Sequence, residues 1–299
     1  MTVKKPFVVA CIPAYNEERS IAKVVLQAKR YVDKVVVCSD GSTDVTAEIA
    51  EQLGAEVIRH ERNMGYGAAL CSLFLRAREL GADAMVLLDG DGQHDPSEIP
   101  MVVEPILKGE ADVVSGSRFL EKNNSSMPKY RMNGIKAITR LAGSVSYNGL
   151  TDGQCGFRAF NRKAVGLITP TEMGMGVSTE ILIKAKENGL RLKEVPVNVS
   201  YDVEKPSTKN PLHHGLDVVL STVKHYSIHR PLLFYGVPGA VALLAAITFW
   251  VWTLQSFTAT RQIITNVALI AIGATVVGLM LLTTAIILWV LVSVIKAKS

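Results

Sequence analysis

Charge is distributed very unevenly along this 299-residue chain, and its C-terminal part carries almost none. The sequence has no charged residue between Arg230 and Arg261, and again none between Arg261 and Lys296. Each stretch exceeds the roughly 20 apolar residues with which a helix crosses a bilayer. Buried helices of a soluble domain are a poor alternative, because nothing polar occupies a solvent-facing side. We therefore predict two transmembrane helices, at 231–254 and 263–295.

Basic residues flank the two predicted spans. Lys224 and Arg230 precede the first, and Lys296 and Lys298 follow the second. The positive-inside rule then puts both termini and the large N-terminal part in the cytoplasm. The net charge of +5 is mild and does not indicate a nucleic-acid-binding protein. The small residues of 236–246 are of the kind that pack membrane helices together, which is compatible with a homo-oligomer formed through the spans.

Short β-branched runs alternate with segments of helical periodicity over residues 7–115. The runs lie at 7–12, 35–38, 56–58, 85–88 and 113–114. This alternation is typical of βαβ units, in which helices cover both faces of a parallel sheet. Ligands of such sheets bind beyond the carboxyl ends of the strands, and polar clusters follow the first, second and fourth runs. We predict an α/β domain with its functional site at that edge.

Two further segments have apolar residues at helical spacing and basic residues on their other faces. They are 130–147, within an irregular region at about 119–149, and 211–229. Beside a membrane anchor, such helices are expected to lie at the interface, although ordinary packing helices of the domain are the alternative. The predicted parts of the chain are an α/β domain at 1–210, a juxtamembrane amphipathic helix at 211–230 and the two membrane helices at 231–299.

The strongest indication of a site is the sequence Asp89-Gly-Asp91-Gly-Gln93-His94, which directly follows a buried strand. Two carboxylates one residue apart repel each other unless a cation neutralises them. Their hard oxygen ligands favour Mg²⁺ or Mn²⁺, which substrate phosphates usually share. The alternative is an acidic turn without function. The position at the carboxyl end of a strand favours the metal site.

The segments after the first two strands each lead into a helix. The first is Pro13-Ala-Tyr15-Asn-Glu17-Glu, and a helix N-terminus offers free N–H groups to an anion. The alternative is a well-capped helix, with Asn16 as its cap. In the second segment, Asp40 ends a strand and could accept hydrogen bonds from a base or ribose, whereas Asp44 is expected to cap the next helix.

A third motif, Asn63-Met-Gly65-Tyr-Gly67-Ala-Ala, also opens a helix. Its Gly-x-Gly resembles the start of a dinucleotide-binding fingerprint, but the third glycine is missing and the motif follows the third strand. A dehydrogenase is therefore disfavoured.

These segments together resemble the family 2 glycosyltransferases. The motifs are Pro-Ala-Tyr-Asn-Glu-Glu, Asp-Gly-Ser-Thr-Asp, Asn-x-Gly-x-Gly-x-Ala and Asp-x-Asp-x-Gln-His, in this order. Gly116-Ser-Arg118 and the segment 151–158 are similar to the branch of dolichyl-phosphate mannose synthases and polyprenyl-phosphate glycosyltransferases. The resemblance covers about the first 230 residues. It implies a GT-A fold, a Rossmann-like nucleotide-diphospho-sugar transferase domain, followed here by a C-terminal transmembrane hairpin.

The resemblance also implies a role for each matching residue. Asp89 and Asp91 would hold the cation with Gln93 in support, and Asp91 would lie near the donor sugar. Arg118 and Arg131 would bind the acceptor phosphate. The residues that would line the nucleotide base and ribose pocket are Pro13, Tyr15, Glu17 and Asp40. The resemblance further implies that Asp152 lies near the sugar, and that Lys209, with Ser207, belongs to a segment that closes over the donor.

The implied reaction is inverting transfer of a hexose from a nucleotide-diphosphate sugar to a polyprenyl (dolichyl) monophosphate. GDP-mannose, UDP-glucose and UDP-N-acetylglucosamine are all compatible donors. A phosphate monoester, whose second pKa is about 6, is already largely ionised at neutral pH, so no general base is required. The reaction needs Mg²⁺ or Mn²⁺ and a lipid bilayer that holds the acceptor.

Other functions account less well for the sequence. A processive polysaccharide synthase of the same fold would carry Gln-x-x-Arg-Trp near the membrane, but Trp250, Trp252 and Trp289 all lie in the predicted spans. A non-catalytic nucleotide-binding membrane protein would be expected to lack the metal carboxylates, and Asp89 and Asp91 are both present. A nucleotidyltransferase would need a glycine-rich loop where 13–18 has none.

Overall fold

A computed structural model describes residues 5–120, 139, 147, 149–200, 227 and 231–298. The chain forms two compact units, Met1–Thr222 and Val223–Ser299. Most of the two predicted amphipathic helices lies outside the described residues, as do Arg131, Ser207 and Lys209. The assignments made to those segments stay predictions, and so do the proposed domain boundaries.

The first unit is built around a seven-stranded sheet. Its strands are β1 Val8–Ala14, β2 Lys34–Ser39, β3 Glu56–Arg59, β4 Ala84–Leu87, β5 Val113–Ser117, β6 Arg158–Asn161 and β7 Leu192–Pro196. The strand order is β3-β2-β1-β4-β6-β5-β7. β1 to β4 are parallel, β6 is antiparallel to both of its neighbours, and β5 pairs in parallel with β7. The loops after β1, β2, β4 and β5 and the loop that enters β6 therefore meet at one edge.

Helices cover both faces of this sheet. They are α1 Ile21–Ala28, α2 Thr46–Gln52, α3 Tyr66–Glu79, α4 Ile99–Leu107, α5 Arg162–Leu167 and α6 Val177–Glu187. Alternate residues of β1 enter two separate cores: Ala10 and Ile12 pack with α1 and α4, whereas Cys11 packs with α3 and α6. Every residue of β1 is buried, which explains why its sequence is continuously apolar rather than alternating.

The five predicted strands are confirmed, with ends that shift by up to three residues. The five predicted strands run in one direction, and the sheet is mixed because β6, which was not predicted, runs antiparallel between β4 and β5. Sequence analysis missed β6 because a charged residue, Arg158, opens its four-residue run. It missed β7 because that edge strand is short, partly exposed and carries Lys193 and Glu194.

The second unit is a helical hairpin. After a π-helical turn at Leu232–Gly236, α7 spans Val237–Thr260 and α8 spans Thr265–Lys298. The segments Leu232–Thr260 and Thr265–Val294 are each long and apolar enough to cross a membrane. The first helix continues six residues beyond the predicted end at 254, because the chain stays helical until Arg261 adopts a left-handed conformation.

Small residues bring the two helices of the hairpin together. A Cβ at Gly239 would lie 3.1 Å from the carbonyl oxygen of Gly278, and one at Gly236 would lie 3.7 Å from the Cβ of Ala285. The Trp250 indole N–H donates to Thr275 Oγ1 at 3.2 Å. Gly236 and Gly239, two residues of the stretch that suggested a homo-oligomer, therefore pack within the hairpin, and the homo-oligomer stays a prediction.

Candidate active site

The loops that follow β1 and β4 are joined by hydrogen bonds at the carboxyl edge of the sheet. The Gly90 N–H donates to the Pro13 carbonyl oxygen at 3.2 Å, and Ser20 Oγ donates to the Gly90 carbonyl oxygen at 2.7 Å. A Cβ at Gly90 would lie 3.1 Å from that same Pro13 oxygen, so a larger residue would separate the loops. The acidic segment and the Pro13 segment therefore share one edge, as predicted.

The half-buried Asp89 carboxylate is contacted from three directions. Tyr66 Oη donates to Asp89 Oδ1 at 2.8 Å, and His94 Nε2 lies 3.6 Å from Asp89 Oδ2. A Cβ at Gly156 would lie 2.5 Å from Asp89 Oδ2, which only a glycine avoids. Burial alone would raise the pKa of Asp89, but hydrogen bonding and charge from His94, with smaller contributions from Tyr66 and Arg158, hold it below its usual value.

Negative charge is concentrated beside Asp91. Asp91 Oδ1 accepts a hydrogen bond from the Gln93 N–H at 2.9 Å, which fixes the turn. Burial raises the pKa of Glu17 to about 7, and the charges of Asp91, Asp44 and Asp89 add to this shift. The carboxyl groups of Glu17, Asp44, Asp89 and Asp91 therefore lie close enough at this edge to influence one another.

This donor set fits a divalent cation that substrate phosphates help to bind. Over the residues that the structure describes, no group of three His, Cys, Asp or Glu side chains forms a complete metal cage. Mg²⁺ sites of phosphate-handling enzymes commonly use one or two carboxylates and complete their shell with phosphate oxygens and water. Asp89 and Asp91 supply two such carboxylates.

The loops after β1 and β2 are interlocked. Asn16 has a left-handed backbone, with φ of 56°, and its Oδ1 accepts from the Thr43 N–H at 2.8 Å. The Glu17 N–H donates to Thr46 Oγ1 at 2.7 Å. Asn16 therefore joins two loops and does not cap α1, which excludes the alternative in which this segment is only a helix cap. Tyr15, in the same loop, is exposed at this edge.

Asp40 is buried and organises the next loop. Its Oδ1 accepts from His60 Nδ1 at 2.7 Å and from the Met64 N–H at 2.9 Å, and its Oδ2 accepts from the Gly65 N–H at 2.8 Å. Sequence analysis did not anticipate these contacts, because Asp40 and Gly65 are far apart in the chain. The assignment of Asp40 to the nucleotide pocket stays a prediction.

Arg118 and Asp152 form a two-point ion pair at the same edge. Arg118 Nε donates to Asp152 Oδ2 at 2.6 Å, and Arg118 Nη2 donates to Asp152 Oδ1 at 2.8 Å. Asp152 is fully buried, and its backbone N–H and that of Thr151 donate to Glu194 on β7. Sequence analysis assigned these two residues separate roles, whereas the fold makes them partners.

A match to a known sequence family identifies the protein family to which this chain belongs. The sequence model described as Glycosyl transferase family 2 matches residues 9–167, which include nearly all of β1, the strands β2 to β6, and both Asp89 and Asp91. The chain belongs to glycosyltransferase family 2. It is a glycosyltransferase, and the predicted family is confirmed.

Curated relatives of this glycosyltransferase include two from archaea. The UDP-N-acetylglucosamine–dolichyl-phosphate N-acetylglucosaminyltransferase of Methanococcus voltae is 37% identical over 64% of this chain and 84% of that protein. The dolichyl-phosphate hexose transferase of Haloferax volcanii is 35% identical over 70% of this chain and 90% of that protein.

Solved structures agree with the predicted GT-A fold. Glucosyl-3-phosphoglycerate synthase from Mycobacterium tuberculosis, crystallised with Mn²⁺ and UDP-glucose, superposes with a TM-score of 0.56 at 24% identity. The alignment covers 73% of this glycosyltransferase and 79% of that chain. At this identity the likeness establishes the fold alone.

The glycosyltransferase carries one buried cation at the site that sequence analysis missed. Arg158, the first residue of β6, is 1% exposed, and it donates to the carbonyl oxygens of Ser178 at 2.7 Å and Gly153 at 2.9 Å. Within the described part of the chain, no hydrogen-bond partner reaches its Nε. Burial lowers the pKa of Arg158, and the nearby Asp152 and Asp89 oppose that shift. The sequence pattern that could have indicated this residue is a single charged side chain, Arg158, beside the apolar residues Phe157, Ala159 and Phe160.

The described residues bring part of the predicted site together. Pro13, Glu17, Asp89 and Asp91 meet at the edge where the loops after β1 and β4 join. Arg131 and Lys209 lie outside the described residues, so their roles stay predictions.

Proposed function

We propose that this glycosyltransferase is a membrane-anchored inverting enzyme that moves a hexose from a nucleotide-diphosphate sugar to a polyprenyl monophosphate. The observation that carries the proposal is the pair of carboxylates, Asp89 and Asp91, at the carboxyl edge of the sheet, where Gly90 between them is hydrogen-bonded to Pro13. Such an edge suits a cation bound together with a diphosphate.

On the donor side, Asp89 and Asp91 would hold Mg²⁺ or Mn²⁺, with Gln93 in support. The cation, when bound, supplies a Lewis acid that stabilises charge on the departing diphosphate. The solved structure with Mn²⁺ and UDP-glucose has the same fold, which supports this assignment. Pro13, Tyr15, Glu17 and Asp40 are assigned to the nucleotide, and the exposed side chain of Tyr15 is compatible with contact to a bound ligand.

On the acceptor side, the chain needs to orient a nucleophile that is already ionised. A phosphate monoester is mostly dianionic at neutral pH, so we assign no general base. Arg118 and Arg131 are assigned to the acceptor phosphate. Asp152 holds Nε and Nη2 of Arg118 in a fixed fork, which sets the direction in which the rest of the guanidinium points. Attack opposite the diphosphate inverts the anomeric carbon.

The apolar hairpin suits a lipid acceptor. A polyprenyl tail stays in the bilayer, whereas a nucleotide sugar is water-soluble, so the reaction has to occur at the membrane surface. Helices α7 and α8 would keep the enzyme there, with the catalytic unit and both termini in the cytoplasm. The names of both archaeal relatives specify dolichyl phosphate, which supports this class of acceptor.

The proposal is tested with purified full-length enzyme, Mn²⁺, a polyprenyl phosphate and, in separate reactions, labelled UDP-N-acetylglucosamine, UDP-glucose and GDP-mannose. We expect label from one donor to enter the organic phase as a lipid-linked sugar. Absence of a lipid-linked product with all three donors would refute the proposed function.

A matched pair of variants tests the carboxylates. Asp91→Asn should abolish transfer. Asp95→Asn is the control, because exposed Asp95 makes the same kind of turn, accepting from the Ser97 N–H at 2.9 Å, and is assigned no role in the site. Equal activity of the two variants would remove Asp91 from the mechanism.

A further inference from the structure

The Asn63-Met-Gly65-Tyr66-Gly67 motif has no role in the mechanism so far, and the structure shows what its glycines do. A Cβ at Gly67 would collide with the carbonyl oxygen of Glu172, and one at Gly65 would collide with that of Met173. The Gly67 N–H donates to the Met173 oxygen at 2.8 Å. The two glycines therefore let the loop before α6 pack directly against the start of α3.

That loop is itself held firmly. The carboxylate of Glu180, on α6, accepts from the Thr171 N–H at 3.0 Å and the Glu172 N–H at 2.9 Å. Lys184 Nζ lies 2.7 Å from Glu180 Oε1 and neutralises it. The start of α3 is thus fixed against a loop that is anchored to a second helix.

Tyr66, the residue between the two glycines, reaches the acidic pair from this fixed position. Its ring packs partly against the core that α3 and α6 share, and its hydroxyl donates to Asp89 Oδ1 at 2.8 Å. The other oxygen of Asp89 lies 3.6 Å from His94 Nε2. The Tyr66 hydrogen bond therefore restricts rotation of the Asp89 carboxylate.

We propose that Tyr66 is a positioning residue, whose hydroxyl holds the Asp89 carboxylate in the orientation that binds the divalent cation. The inference rests on the proposed function, because it takes Asp89 as a cation ligand. Hydrogen-bond partners of metal ligands typically contribute about 10–100-fold to metal affinity. A carboxylate that is oriented before the cation arrives binds it with less loss of conformational freedom.

The test compares Tyr66→Phe with Tyr147→Phe in the full-length enzyme. Each substitution removes one phenol oxygen and keeps the ring. Tyr147 Oη donates to the Leu190 carbonyl oxygen at 2.6 Å, away from the acidic pair, so it is the matched control. Binding of Mn²⁺ is measured directly by electron paramagnetic resonance, with and without UDP and GDP, and thermal midpoints are measured for both variants.

We expect Tyr66→Phe to weaken Mn²⁺ binding by about 10–100-fold and Tyr147→Phe to leave it unchanged. The Mn²⁺ concentration that gives half-maximal transfer should rise in parallel for Tyr66→Phe, and saturating Mn²⁺ should restore most of the rate. Transfer that stays low at saturating Mn²⁺ would contradict a role in orienting the ligand.

Two results would overturn the positioning role. One is a Tyr66→Phe enzyme that binds Mn²⁺ as tightly as the wild type. The other is a thermal midpoint far below that of Tyr147→Phe, because the hydroxyl would then be structural. If the wild-type enzyme binds no Mn²⁺, the proposed cation site fails as well. If Mn²⁺ binding falls as expected but no lipid accepts sugar, the proposed acceptor is wrong and the role of Tyr66 stands.

Discussion

Asp152 holds the guanidinium of Arg118 by two hydrogen bonds, of 2.6 Å to Nε and 2.8 Å to Nη2. The carboxylate is fully buried, and the Arg118 side chain is only 10% exposed. Asp112 and Arg191 form a second pair of the same kind. These two residues directly precede β5 and β7, whereas Arg118 directly follows the end of β5. The two pairs allow the structural effect of losing an ion pair to be separated from its effect on the reaction.

We predict that Asp152→Asn and Asp112→Asn both destabilise the enzyme, since each leaves an arginine without its carboxylate. Removing one partner of a buried pair costs about 3–5 kcal/mol, and Asp112→Asn should cost less because Arg191 is more exposed. Only Asp152→Asn should raise KM for polyprenyl phosphate, by about tenfold for each 1.4 kcal/mol of binding lost. Chemical unfolding followed by circular dichroism and lipid-dependent kinetics check the two parts. A KM that both variants leave unchanged would remove Arg118 from the acceptor site.

A second prediction concerns the contact between Gly156 and Asp89. Gly156→Ala places a methyl group 2.5 Å from Asp89 Oδ2, so the carboxylate has to move. A displacement of this size near the reacting groups should reduce kcat by about 100-fold. Gly166→Ala is the control, because a Cβ there meets no atom within 4 Å and alanine favours the helix. Similar rates for both alanine variants would show that the position of Asp89 is unimportant.

A third prediction follows from Glu17, whose pKa rises from an ordinary 4.5 to about 7 because of burial and nearby carboxylates. Between these values the folded chain keeps a proton that the unfolded chain releases. Stability from this group is therefore present below about pH 4.5 and decreases as pH rises to about 7. Thermal midpoints measured across this range should decline as pH rises, and Glu17→Gln should flatten the decline.

Mn²⁺ should move this decline of the thermal midpoint to lower pH, because a bound cation offsets the charges of Asp91 and Asp89. A Glu17→Gln profile identical to that of the wild type would contradict the assignment.

The fourth prediction concerns the hairpin. Gly239→Leu should separate α7 from α8, since even a Cβ there would lie 3.1 Å from the Gly278 oxygen, and overpacking costs about 1–3 kcal/mol. All three tryptophans, Trp250, Trp252 and Trp289, lie in these helices, so tryptophan fluorescence reports unfolding of the hairpin alone. Gly273→Leu should leave the transition in place, because nothing lies within 4 Å of a Cβ there. A transition that both variants shift equally would refute the close packing of α7 against α8 at Gly239.

The elements that could be predicted from sequence are those whose signal is local. The five strands in the first 117 residues are short apolar runs that end in polar segments, and each helix of the hairpin contains an uncharged stretch longer than a bilayer is thick. The acidic pair could be recognised for the same reason, because Asp89 and Asp91 directly follow a buried strand.

The sequence by itself determined the fold class, the family motifs and the apolar hairpin, because each depends on residues that are neighbours in the chain. Only the tertiary structure decided that β6 enters the sheet antiparallel, that Asp152 forms an ion pair with Arg118, and that Tyr66 donates a hydrogen bond to Asp89. Those partners are 34 and 23 residues apart, and the pairing depends on which loops the sheet brings to one edge. No local pattern encodes such a contact, because it forms only when separate strands and helices pack together.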